Sequence, residues 1–116
     1  MRIVVTGAGG FVGRQLVRGL LARGDAVVGL DSVADGIPAG AEAIGGDLGD
    51  QAVRKAALAG GCDGLIHLAT VPGGSAEADP AASRRINLDA MYDLLEEAAA
   101  AGQRPRVVYA SSIAVY

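Results

Sequence analysis

Thr6-Gly7-Ala8-Gly9-Gly10-Phe11-Val12-Gly13 lies between an apolar run, Ile3-Val4-Val5, and a helical pattern. Strand, tight turn and helix N-terminus in that order make an anion cradle. Glycines let the backbone turn sharply and let a phosphate approach without meeting a Cβ. First-turn N–H groups and the helix dipole then face the negative charge. The chemistry this suggests is the holding of a dinucleotide pyrophosphate. The spacing narrows the pattern. A Gly-x-Gly-x-x-Gly frame begins at Gly7 and Gly9 but falls on Val12 at its last place, whereas Gly-x-x-Gly-x-x-Gly fits Gly7, Gly10 and Gly13. A turn that merely joins strand to helix would also use glycine. The partners further along the chain favour the ligand-binding reading.

Asp31 is the first such partner. It follows the turn by about twenty residues at a strand end, where a carboxylate can accept from the hydroxyls of an adenosine ribose. That carboxylate would repel a 2′-phosphate, and no Arg follows in Asp31-Ser32-Val33, so NAD is favoured over NADP. Gly46-Asp47-Leu48 ends a third apolar segment, and either Asp47 or Asp50 can cap a helix starting near Gln51. His67 is the single histidine and Cys62 the single cysteine, which supports neither a zinc site nor an internal disulfide. His67 invites a catalytic reading, but a lone His on an apolar strand is more simply a hydrogen-bonded structural residue. Cys62 reads as a small buried or turn residue.

These residues need elements to bring them together. Arg2–Thr6, Ala26–Asp31, Ala41–Gly46, Leu65–Ala69 and Arg106–Ala110 read as strands, the third being the weakest. Phe11–Arg23, Gln51–Ala59 and Ala82–Ala101 read as helices. The first carries Val12, Leu16 and Leu20 at four-residue spacing. The last carries Met91, Leu94, Leu95 and Ala98 at i, i+3, i+4, i+7. Gly24 and Gly102 are placed to stop helices, and Ser32–Ala39 and Thr70–Pro80 read as loops. Strands apolar throughout, alternating with helices, predict a parallel sheet covered on both faces. Right-handed crossovers give the doubly wound order 3-2-1-4-5.

The bulk numbers agree with one domain. The chain has 116 residues, 51% hydrophobic and 20% charged, with a net charge of −3. That is enough for one core, and nothing in it suggests disorder. No basic cluster offers a surface for nucleic acid. The apolar runs are strand-length, so no membrane span is expected. A strand starting almost at Met1 leaves no room for a secretory leader, and a cytoplasmic setting is expected.

Val107-Val108-Tyr109-Ala110-Ser111-Ser112-Ile113-Ala114-Val115-Tyr116 supplies the second strong motif. With Thr6-Gly7-x-x-Gly10-x-x-Gly13, it resembles the extended short-chain dehydrogenases/reductases, the NAD-dependent epimerase/dehydratase group. The resemblance covers the whole chain and implies a Rossmann-like domain over residues 1–116. It implies that Gly7, Gly9, Gly10, Phe11, Val12, Gly13 and Asp31 hold NAD. Asp47 would accept from the adenine amine and Leu48 would pack on the ring. Leu68, Ala69 and Ser111 would line the cofactor. Asn87, in Asn87-Leu88-Asp89-Ala90, would order the active site through its side-chain amide. From the residues alone, Asn87 reads equally well as an exposed helical Asn. Ser112 would hydrogen-bond the substrate oxygen at which hydride leaves or arrives, while Tyr116 would be a packing residue. Gly73-Gly74-Ser75 with Glu77-Ala78-Asp79 is similar to the sugar-acid dehydrogenases of the group, which would put Ser75 near a substrate carboxylate.

The group's acid–base pair, a Tyr-x-x-x-Lys, follows none of Tyr92, Tyr109 and Tyr116. The resemblance therefore implies an N-terminal portion ending after the fifth strand, without the Tyr/Lys helix or the substrate domain. Such a portion would be inactive alone as an enzyme of sugars, nucleotide sugars or sugar acids. An open fifth strand, and a long helix without its family partner, would drive dimerisation or other self-association. A non-catalytic NAD-binding or sensing module is the alternative. Ser112 counts against it, because a sensor needs no hydroxyl at that strand end.

Overall fold

The computed structural model describes residues 1–69 and 78–110. Five strands, β1 (Arg2–Thr6), β2 (Ala26–Asp31), β3 (Glu42–Gly45), β4 (Gly64–His67) and β5 (Arg106–Tyr109), form one parallel sheet in the order β3-β2-β1-β4-β5. The expected doubly wound order is therefore the observed one. The two-residue period of β1 explains why both faces are covered. Ile3 and Val5 point to one face, under α1 (Phe11–Ala22), with Val17, Leu20, Val27 and Ile37. Val4 points to the other, with Val28, Leu65, Leu58 of α2 (Gln51–Leu58), and Leu94 and Ala98 of the long helix. Both β1 valines are fully buried, as are Leu65 and Leu94. Burial on this scale stabilises by roughly 1.5–3 kcal/mol per large apolar side chain.

The stripe expected on α1 is shifted. Val12 is 62% exposed, and the buried face is Gly13, Val17 and Leu20. The helix begins so close to the sheet that only a glycine fits at the first buried position. Asp50 is the cap of α2, its carboxylate accepting from Ala52 N at 2.9 Å. Asp47 is not the cap. Cys62 is buried with its thiol donating to Gly64 O, and burial pushes its pKa up.

The long helix differs more from expectation. It starts earlier, at Pro80, with Asp79 capping Ala82 N, and it is not uniform. An α-helical turn, α3 (Pro80–Arg84), leads into a π-helical segment, Arg85–Asp89, and then α4 (Ala90–Ala100). One stripe, Ala82, Ile86, Ala90, Leu94 and Ala98, runs at four-residue spacing from the cavity described below into the core. A straight α-helix would rotate that stripe by about 40° at each step, and the wider π turn takes up part of the drift. Among the described residues no helix is long and apolar enough to cross a membrane.

Candidate functional site

In a doubly wound sheet the two crossovers leave neighbouring strands in opposite directions, opening a crevice at their carboxyl ends. Here that point lies between β1 and β4. A cavity of about 1090 Å³ opens there, lined by the turn residues Thr6, Gly7, Gly10 and Phe11, by Asp31 and Ser32 after β2, and by Asp47 and Leu48 after β3. Leu68 and Ala69 after β4, and Arg85 and Ile86 from the π segment, complete it. The strand ends converge because the sheet register places Thr6 opposite Leu30 and His67.

The glycine turn divides its work among its members. Gly7 has φ +69° and lies so close to β4 that a Cβ would stand 2.9 Å from Ala69 N. Gly13 is more extreme, since a Cβ there would stand 2.0 Å from Gly7 O. These two glycines let the helix sit on the turn and the turn sit on the sheet. Gly10 differs. It is exposed, has extended backbone (φ −77°, ψ 177°), and a Cβ would meet only Gly7 O at 3.3 Å. It is the N-cap of α1 yet makes no side-chain cap, and no acidic residue lies in the first turn. The first-turn N–H groups have no helix carbonyl a turn earlier, the arrangement that suits an anion at a helix N-terminus.

Asp31 closes the turn from the side. Its Oδ2 accepts from Gly9 N at 2.9 Å and its Oδ1 from Ser32 Oγ at 3.3 Å. One carboxylate therefore both ties the glycine loop to β2 and faces the cavity. Asp47 is more heavily engaged than its sequence position suggested. Its Oδ1 accepts from Gly49 N at 2.8 Å, and its Oδ2 is paired with the Arg85 guanidinium. Arg85, and then the Gly49 N–H, hold the Asp47 carboxyl below its ordinary range.

His67 is a structural residue. Thr6 Oγ1 accepts from Leu68 N and Ala69 N, each at 3.1 Å, so its own hydrogen goes to His67 Nδ1 at 2.8 Å. This fixes Nδ1 as the acceptor and puts the ring proton on Nε2. Burial lowers the pKa of the ring, which is 2% exposed and stacked on Tyr109 at 5.9 Å. Its Nε2 has no hydrogen-bond partner among the described residues. His67 thus knits the carboxyl ends of β1, β4 and β5 and is not among the residues that line the cavity.

Of the residues singled out in the sequence, Gly7, Gly10, Phe11, Asp31, Asp47, Leu48, Leu68 and Ala69 lie together on the cavity wall. Gly9 and Gly13 sit behind it, and Val12 faces outward. Asn87 is half-buried on the π segment, donating to Ser83 Oγ at 3.2 Å, and is not on the wall. Ser75, Ser111 and Ser112 lie outside the described residues, as does Tyr116. Sequence reasoning passed over Arg85. Its place two residues before Asn87 was visible, but its partner is 38 positions away.

Comparison with known proteins agrees with this geometry. The family model described as "NAD dependent epimerase/dehydratase family" matches residues 3–116. The D-erythronate dehydrogenase of Cupriavidus necator is 40% identical over 129 residues, which takes in 100% of this chain and 40% of that protein. A short-chain dehydrogenase/reductase superfamily protein from Agrobacterium tumefaciens, solved with bound NAD, superposes with a TM-score of 0.84 at 36% identity, over 97% of this chain and 33% of that one. The Thermus thermophilus UDP-glucose 4-epimerase in complex with NAD gives 0.85 at 31% identity, over 97% and 38%. The chain thus spans well under half the length of these relatives.

Proposed function

The chain belongs to the NAD-dependent epimerase/dehydratase family, and from that membership we propose that residues 1–116 are the NAD-binding portion of an enzyme acting on a sugar, nucleotide sugar or sugar acid. The observation that carries this reading is the glycine turn at the sheet's switch point. A bare Gly10 backbone faces the cavity while the Asp31 carboxylate stands beside it, bonded to Gly9 N–H. NAD, when bound, supplies the carbon that takes or gives hydride, the other carbon being that of a secondary alcohol on the substrate. The chain's own residues bind and orient. Gly10 and the first turn of α1 receive the pyrophosphate. Asp31 accepts from the adenosine ribose and, by its charge, excludes a 2′-phosphate. Asp47 and Leu48 receive the adenine, and Leu68 and Ala69 wall the path toward the reacting end. Ser112, with Ser111 beside it, holds the substrate oxygen, and Ser75 stands near a substrate carboxylate.

Calorimetric titration of the complete protein with NAD tests the binding half of this reading, and absence of binding would refute it. The chemical half is tested at Ser112. Loss of one positioned donor to a reacting oxygen typically lowers kcat by about 10²-fold. Ser112→Ala is expected to do this with an unchanged Kd for NAD. An unchanged kcat would remove Ser112 from the reaction.

The partner reading includes a second copy of the chain. Among the described residues β5 is an edge strand of the sheet and is exposed along its length, with Val107, Val108 and Tyr109 at 40%, 53% and 50%. An open edge bearing apolar side chains favours association. Sedimentation equilibrium of the 116-residue chain is expected to show dimers or larger species. One monomeric species with a cooperative thermal transition would contradict this and favour a self-sufficient small module.

A further inference from the structure

Two consecutive residues of the cavity wall, Asp47 and Leu48, are each held by an arginine from another element. Arg85, on the π segment, pairs with Asp47 Oδ2, while Gly49 N turns Asp47 Oδ1 back into its own loop. Arg54, on α2, donates through Nη1 to Leu48 O at 3.0 Å. Its remaining fork, Nε and Nη2, meets Glu97 of α4 at 2.9 Å on each side. Arg54 is 5% exposed and Leu48 7%.

Neither pair is explained by stability alone. A half-exposed ion pair such as Arg85–Asp47 contributes little. A buried one such as Arg54–Glu97 bears a desolvation penalty that apolar residues of similar size would avoid. What both arginines do, and an apolar substitute could not, is fix polar atoms of one dipeptide in the cavity wall. Each Asp47 oxygen thus has one protein donor, Gly49 N on Oδ1 and Arg85 on Oδ2, and keeps a lone pair for a ligand at the cavity wall. The two donors fix the carboxylate plane, and with it the direction of the lone pairs that remain.

We propose that Arg85 and Arg54 are positioning residues for the adenine end of the site. Arg85 aims the Asp47 oxygen that accepts the exocyclic amine. Arg54 sets the depth of the Leu48 side chain against the ring. Both tie this wall to the long helix, so the base-reading dipeptide and the helix carrying Asn87 move as one unit. This rests on the dinucleotide reading above.

The test uses two ligands in the complete protein: ADP-ribose, which carries adenine, and nicotinamide mononucleotide, which does not. Arg85→Met leaves the fold intact, because the side chain is half exposed. It is expected to weaken ADP-ribose by about tenfold and to leave nicotinamide mononucleotide unchanged. In an Asp47→Ala background the same substitution should have no further effect, since Arg85 acts through Asp47. Arg54→Lys keeps a cation beside Glu97 but loses the fork, and should show the same split between ligands. Unchanged ADP-ribose affinity in Arg85→Met, equal weakening of both ligands, or an undiminished effect without Asp47 would each overturn the proposal. A wild-type protein that binds neither NAD nor ADP-ribose would fail the functional reading itself, and this proposal with it.

Discussion

Gly10→Val is expected to abolish NAD binding in a protein that still folds, whereas Gly13→Ala is expected to damage the fold itself. The two glycines stand three residues apart in one motif, and the contrast follows from what a side chain would meet. At Gly10 the backbone is extended, a conformation that valine prefers, and the added atoms enter the cavity. They take the space a pyrophosphate needs against the first-turn N–H groups, so affinity should fall by at least about 100-fold. At Gly13 a single methyl would stand 2.0 Å from Gly7 O, a backbone atom that cannot rotate away. Turn and helix must then separate. Overpacking of side chains costs about 1–3 kcal/mol and a backbone clash at least the upper end, about 10–20 °C in Tm for a domain of this size. Thermal unfolding and NAD titration on both variants separate the roles. Unchanged NAD affinity in Gly10→Val would make the turn a mere connector. An unchanged Tm in Gly13→Ala would mean that the helix does not rest on the turn as observed.

Much of this arrangement was legible in the sequence because it is encoded locally. Strands apolar throughout gave the parallel sheet, and chain order with crossover handedness gave its topology. Gly7, Gly10 and Gly13 identify the turn by spacing, Asp31 is singled out by its strand end, and Asp47 is singled out by the family resemblance, its residue type and position alone reading equally as a helix cap. The errors have equally local causes. Val12 fits the four-residue periodicity of α1 but points outward, because the helix approaches the sheet at Gly13, where a residue without a side chain leaves no apolar signal. The π segment was invisible, since a 3.6-residue pattern does not report one widened turn. The pairs Arg54–Glu97 and Arg85–Asp47 span 43 and 38 positions, and nothing in residue type alone singles out which charge meets which.

Asp31→Asn should lower the preference for NAD over NADP by roughly five- to several-hundredfold, with a smaller loss of NAD affinity than Asp31→Ala causes. The sequence already suggests that Asp31 meets the ribose and repels a 2′-phosphate. The structure adds that its Oδ2 accepts from Gly9 N at 2.9 Å, so the carboxylate also braces the glycine turn. Asparagine keeps a carbonyl oxygen for Gly9 N–H and removes the charge. Alanine removes both, and the loosened turn should weaken NAD and NADP together. The size of the discrimination follows from Coulomb's law. Two unit charges about 4 Å apart repel by roughly 1 kcal/mol in water and 4 kcal/mol near a protein surface, which brackets a half-buried Asp31. Since about 1.4 kcal/mol is tenfold in affinity, the charge alone accounts for the expected range. Titrating wild type and both variants with both cofactors gives six affinities. If Asp31→Asn leaves the ratio unchanged, some group other than the carboxylate sets the preference. If Asp31→Ala and Asp31→Asn lose NAD equally, the bond to Gly9 does not brace the turn.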